Sequence, residues 1–162
     1  MMELCFYEEI FQEAIEQYYL TEEQLQFTGS PIECTQLAKE DSDRYAILAI
    51  ADGKLVTYFN LHRNEGVKPF SNNPNAILLR AFSTDFRYLG KGYAKEALKL
   101  LPAFVKQHFH GINEIVLGVN FKNEAAQNLY KKCGYVDGGE RRMGKKGELF
   151  MMSYYLKSFQ PI

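Results

Sequence analysis

Two glycines separated by one residue, in Leu89-Gly90-Lys91-Gly92-Tyr93-Ala94, constrain this chain more than any other feature of its sequence. An apolar run from Ala76 to Thr84 precedes them, and Ala94, Ala97, Leu98 and Leu101 then share one face at helical spacing. The stretch is expected to be a strand, a tight turn and the start of a helix. The first N–H groups of such a helix have no partner within it and point out of the turn. With the positive end of the helix dipole they form a site for a phosphate or pyrophosphate. Glycine leaves the backbone bare, so that phosphate oxygens can approach it. Lys91 and Lys95 add charge at the rim. An ordinary tight turn into a helix would use the same two glycines, and the motif alone does not separate the readings.

The elements on either side fit one mixed α/β sheet. Leu4 to Tyr7 is expected as a short first strand, and Glu8 to Leu20 as a helix carrying Ile10, Phe11, Ala14, Ile15 and Tyr18. Thr21 with Gln24 three residues on makes a capping box for a second, shorter helix. Thr28 to Lys39, with Gly29, Ser30 and Pro31, reads as a loop around a little local helix. Arg44 to Ala51 and Lys54 to Arg63 are β-rich and joined by Asp52-Gly53, a two-residue hairpin signal. Ala76 to Thr84 is apolar on both faces, as a central strand should be. Pro102 interrupts the helical pattern after the glycine turn, which predicts a kink or a break there. Glu114 to Val119 is a second central strand, followed by a helix holding Ala126, Leu129 and Tyr130 that Gly134 closes. Tyr135 to Leu156 folds as two strands around Gly144-Lys145-Lys146-Gly147. The order implies a single domain spanning residues 1–162.

Composition excludes several classes. A formal net charge of −1 gives no electrostatic reason for a nucleic acid or an anionic membrane as partner. No apolar run is long enough to span a bilayer, and the N-terminus lacks the pattern of a signal peptide. Three cysteines without C-x-x-C spacing indicate neither a disulfide framework nor a zinc site, so a reduced cytoplasmic setting is expected. His108 and His110 are expected on solvated surface rather than on a metal.

Further along, Asn123, Ala126, Leu129 and Tyr130 form N-x-x-A-x-x-L-Y, and Lys131-Lys132-Cys133-Gly134-Tyr135 follows. Together with L-G-K-G-Y-A about thirty residues earlier, this resembles the GNAT superfamily of acyl-CoA-dependent N-acyltransferases. The resemblance covers residues 76 to 135. It implies a single mixed, mostly antiparallel central sheet flanked by helices, and acetyl-CoA as the acyl donor to an amine, with no metal. It also implies that Phe82, Ser83 and Thr84 offer their backbone to the pantetheine arm. The pyrophosphate is then expected over Leu89, Gly90, Lys91, Gly92, Tyr93 and Ala94. Asn123 and Tyr130 are seven residues apart, two helical turns, and project from nearly the same face. The resemblance gives Asn123 to the pantetheine arm and Tyr130 to the thioester sulfur, as the acid that protonates the leaving thiolate. Asn123 is equally a good helix N-cap, and Tyr130 on an apolar face equally a core residue.

The chain departs from the family in two places. Leu89 stands where Gln or Arg is usual, and Arg87 or Lys91 is the candidate replacement for the lost phosphate contact. No carboxylate occurs between Asn75 and Thr84, where some members carry a general base, which leaves water, His62 or Glu33 to take the amine's proton. Arg141, Arg142, Lys145 and Lys146 are expected as a solvated hairpin tip, with an anion-binding patch as the alternative. Cys133 is expected to pack rather than react. The acceptor is expected to be a small polyamine-like molecule, another amino compound or a protein N-terminus, and a homodimer stays open. Two rivals remain: a non-catalytic acyl-CoA-binding regulatory module, and a nucleotide-phosphate enzyme of another fold. The absence of G-x-x-x-x-G-K-[ST] speaks against the second rival.

Overall fold

A computed structural model describes residues 1–156. Seven strands, β1 (Met2–Phe6), β2 (Arg44–Ala51), β3 (Lys54–His62), β4 (Ala76–Thr84), β5 (Glu114–Asn120), β6 (Val136–Gly144) and β7 (Gly147–Tyr155), form one sheet in the order β1-β2-β3-β4-β5-β7-β6. Every neighbouring pair is antiparallel except β4 with β5, which run parallel. The helices are α1 (Gln12–Gln17), α2 (Glu22–Leu25), α3 (Pro31–Glu40), α4 (Tyr93–His108) and α5 (Glu124–Lys132). The expected mixed, mostly antiparallel sheet with flanking helices is the observed fold.

Each face of the sheet has its own core. Ile47, Phe59, Leu61, Ile77, Ile115 and Leu117 pack on the α4 side with Leu98, Leu101 and Val105. Ala46, Leu48 and Tyr58 pack on the other side with Ile15, Tyr18 and Cys34. The hairpin at Asp52-Gly53 forms as its sequence predicts, with both residues in the left-handed region at φ 51° and 77°.

Two local expectations change and a third, at Pro102, narrows. The first helical stretch is a 3-10 turn, Glu9–Phe11, followed by α1, which ends at Gln17 and not Leu20. Tyr18 leaves the helix with an extended backbone and places its hydroxyl 2.8 Å from the Ser83 carbonyl oxygen, to which it donates. The segment around Gly29-Ser30-Pro31 is not mainly loop. Ser30 caps α3 by accepting from the Glu33 N–H at 3.2 Å, and Pro31 occupies the first turn, where its missing N–H costs nothing. Pro102 does not divide α4, which runs as one helix from Tyr93 to His108. Ala97, Leu98 and Leu101 before the proline and Phe104 and Val105 after it are buried in the sheet, so packing holds both halves despite the lost hydrogen bond.

Candidate active site

The parallel pair is short. β4 meets β5 only through Ala76, Ile77 and Leu78 against Glu114, Ile115 and Val116. Beyond Leu78 the two strands part, and the edge of β4 facing β5 has no strand partner among the described residues. The gap opens into a cleft of about 470 Å³, walled by Leu79 to Thr84 of β4 and by Leu117 to Asn120 of β5. It is also lined by Leu89 and Ala94, by Asn123, Ala126, Leu129 and Tyr130, and by Thr21, Glu23, Gln24, Phe27 and Thr28.

A bulge shapes the β4 wall. Tyr58 pairs with Ser83 and Asn60 with Arg80, so Ala81 and Phe82 together oppose the single residue Phe59. Ala81 takes a positive φ of 55°, unusual for a residue with a Cβ. Phe82 stacks on Phe59 at 5.7 Å and meets the Tyr130 ring edge-on at 6.1 Å. Ser83 and Thr84 also line the cleft, but their carbonyls are engaged: Ser83 O accepts from Tyr18, and Thr84 O accepts from Gln24 Nε2 at 2.9 Å. Thr84 Oγ1 lies 3.0 Å from Thr57 Oγ1.

The glycine turn has the expected geometry. Gly90 and Gly92 sit at φ 79° and 81°, and Gly92 is the N-cap of α4 with no side chain capping it. A side chain at either position would be strained. No backbone acceptor among the described residues takes the N–H groups from Gly90 to Lys95, so the turn presents a row of unused donors. Leu89 and Ala94 border the cleft, Lys91 is exposed, and Tyr93 packs edge-on against Tyr88. Arg87 is not free to stand in for the missing Gln or Arg. Its Nε and Nη2 lie 3.0 and 2.7 Å from the two oxygens of fully buried Asp85, and Nη2 also reaches Gln17 O. Burial pushes the Asp85 carboxyl up, yet the Arg87 guanidinium and the N–H groups of Arg87 and Tyr19 outweigh it and hold it below its ordinary value.

Asn123 and Tyr130 face the cleft together. Asn123 does cap α5, accepting from the Ala126 N–H at 3.2 Å, and still borders the cleft. The Tyr130 ring is buried against Phe82 and Tyr135, while its hydroxyl has no hydrogen-bond partner among the described residues. Burial, and secondarily Cys133, push its pKa up, so the phenol stays protonated at neutral pH.

Residues 6–135 match the family model described as the Acetyltransferase (GNAT) family. The chain belongs to the GNAT acetyltransferase family. It is 39% identical over 154 residues to YbbJ of Bacillus subtilis, described as an uncharacterized N-acetyltransferase, covering 94% of this chain and 96% of that one. The same fold occurs in the aminoglycoside acetyltransferase AAC(6')-Ib bound to paromomycin and acetyl-CoA, with a TM-score of 0.78 at 14% identity over 95% of this chain and 93% of that one. It occurs again in spermidine N-acetyltransferase from Vibrio cholerae bound to CoA and spermine, with a TM-score of 0.72 at 16% identity over 96% and 95%. The chain is accordingly an acetyl-CoA-dependent N-acetyltransferase.

The proton acceptors expected for this GNAT enzyme are elsewhere. His62 is buried and does not line the cleft; its Nε2 is 2.9 Å from Asp41 Oδ2 and its Nδ1 3.3 Å from Arg80 Nη1. Burial, which the Asp41 carboxylate opposes, lowers its pKa and keeps the ring neutral. Glu33 lies on the exposed surface of α3, away from the cleft. Among the described residues the one acidic residue lining the cleft is Glu23 of α2, which lies in the sequence between Thr21 and Gln24 of the capping box. The hairpin tip is more engaged than expected. Arg141 and Arg142 pair with Asp137 and Glu140, and Lys146 Nζ donates to Leu25 O at 3.0 Å, tying the β6–β7 turn to the end of α2. Cys133 packs at the C-terminus of α5, its thiol pKa raised by burial.

Proposed function

We propose that acetyl-CoA enters at the glycine turn and lays its acetyl group in the gap between β4 and β5. The unused N–H donors from Gly90 to Lys95 take the pyrophosphate, with Lys91 at the rim. Leu89 adds an apolar wall but no phosphate contact. The β4 edge left without a strand partner at Phe82 receives the pantetheine arm, the Ser83 and Thr84 carbonyls being already engaged by Tyr18 and Gln24, and Asn123 contributes its amide from α5.

An unprotonated primary amine then attacks the thioester carbon from the α2 side. The carbonyl π electrons move to oxygen, and a backbone N–H at the Phe82 bulge stabilises the oxyanion. Collapse restores the carbonyl, breaks the C–S bond and expels the CoA thiolate, which takes the Tyr130 proton. The proton lost by the amine nitrogen returns to the phenolate through water, leaving the amide and CoA thiol. A phenol of raised pKa donates poorly in water, but the same apolar surroundings raise the basicity of the departing thiolate.

The observation that carries this reading is Tyr130, which lines the cleft between β4 and β5 beside Phe82 and whose hydroxyl has no hydrogen-bond partner among the described residues. Thiol release from acetyl-CoA with a panel of amines tests it. Amine-dependent release is expected, whereas acetyl-CoA binding without release would leave a binding module only.

A further inference from the structure

One charged residue of β4 lines the cleft, Arg80, and acetyl transfer as described does not use it. Arg80 lies on the sheet face opposite α4, half-buried, with its guanidinium carbon 5.9 Å from the Phe70 ring centre. His62 orients it. An ionised Asp41 only accepts, so His62 Nε2 carries the imidazole proton, and the bare Nδ1 accepts from Arg80 Nη1. That relay fixes one corner of the guanidinium and leaves Nε and Nη2 without a partner among the described residues.

A second arginine crowds the same place. Arg44 is nearly buried, with Nε 2.6 Å from Asn60 Oδ1, and Asn60 stands opposite Arg80 in the β3–β4 register. Neither guanidinium has a carboxylate within ion-pair distance among the described residues; the imidazole stands between Arg80 and Asp41. Two like charges in a partly desolvated place with no carboxylate in contact are costly, Asp41 acting on Arg44 only at a distance, and an anion that enters the cleft offsets the cost. A planar guanidinium with two free N–H edges matches a carboxylate in particular. The other ionised group on the cleft is Glu23, on α2, suited to an ammonium.

We propose that Arg80 binds a carboxylate on the acceptor, so that the acceptor class is an amine bearing a carboxylate, an amino acid or a close analogue. This rests on the acetyl-transfer reading of the cleft. Ala81 and Phe82 follow Arg80 directly, so a carboxylate held there leaves its neighbouring amine at the gap between β4 and β5. Polyamines and other polycations meet two arginines instead and are disfavoured.

The test is kcat/KM by thiol release for matched sets: an amino acid, its carboxamide, the decarboxylated amine, spermidine and phosphoethanolamine. The native protein should prefer the acid to its carboxamide by about 10- to 100-fold, the worth of one charge-assisted contact. Arg80→Gln should remove that preference and Arg80→Lys should restore part of it, with the thermal shift by acetyl-CoA kept in both. Preference for spermidine or phosphoethanolamine, or an acid preference that survives in Arg80→Gln, would overturn the assignment. If no amine is acetylated although acetyl-CoA still binds, it is the acetyl-transfer reading that fails. Arg80 is then judged from N-acetyl amino acids added to the CoA complex: stabilisation lost in Arg80→Gln supports its role, and no stabilisation in the native protein overturns it.

Discussion

Replacing Tyr130 by Phe removes one oxygen and keeps the ring that Phe82 and Tyr135 pack against, 6.1 and 5.6 Å away. The hydroxyl has no hydrogen-bond partner to lose among the described residues, so the exchange strands no donor or acceptor. Its removal should leave the melting temperature unchanged or slightly higher. Acetyl-CoA affinity should also hold, since in the proposed reading the phosphates lie at the glycine turn and the pantetheine along β4. Turnover is different. A positioned general acid supplies about 10² to 10⁴ in rate, equivalent to roughly 2.7 to 5.4 kcal/mol of barrier. Tyr130→Phe should therefore lower kcat by that factor. The assay is thiol release at saturating acetyl-CoA, with affinity by calorimetry and thermal midpoint measured on the same preparation. A core role predicts the opposite pattern, with near-normal kcat and any loss tracking stability. Full turnover in a stable Tyr130→Phe protein would refute the acid assignment.

Gly92→Glu should abolish the acetyl-CoA thermal shift, because it puts a strained, negatively charged residue at φ 81° where the pyrophosphate is expected; an unchanged shift in the folded variant would remove the phosphate cradle. Asp85→Asn should destabilise by about 1–3 kcal/mol at neutral pH, as bonds to a charged group are lost. Because the folded Asp85 pKa is depressed, its contribution is present above the unfolded value and disappears as pH falls through the folded one; acid unfolding of the native protein should carry that component and Asp85→Asn should lack it. With His62 engaged on both ring nitrogens, kcat/KM should climb with pH toward the amine's own pKa, and a plateau at an apparent pKa of about 6 to 7 would refute this.

What the sequence made legible was local. Asp52-Gly53, the run from Ala76 to Thr84, the glycine turn and the helix bearing Asn123 and Tyr130 each carry their own backbone instructions, and each folds accordingly. α3 carried them too: Ser30-Pro31 is a cap and first turn, but beside Gly29 it looked like loop punctuation. Other features depend on residues far apart in the chain. Arg80 is a lone charge in an apolar run, and only the fold shows that Asp41 is screened from it by His62. Arg87 looked available for phosphate because Asp85, two residues away, gives no sequence sign of being fully buried. Glu23 stands inside the α2 capping box, a position with no sequence sign of a cleft, and only the fold brings it there.

The bulge at Ala81 joins these pieces into one site. In a regular strand residues 80 and 82 would point to the same face. Here Ile77 and Leu79 face α4, Leu78 and Arg80 face the other side, and Ala81 packs on that other side as well, against the Tyr18 and Tyr58 cluster. Phe82 is thereby returned to the α4 side, under Tyr130. In the proposed reading the bulge thus turns Arg80 to the acceptor's side of the sheet and Phe82 to the donor's, within three positions of the strand. The left-handed backbone at Ala81 costs on the order of 1–3 kcal/mol. The same sequence in a regular strand would save that energy, but it would place Arg80 and Phe82 on one face and, in the proposed reading, lose the means of holding the two substrates on opposite sides of the gap.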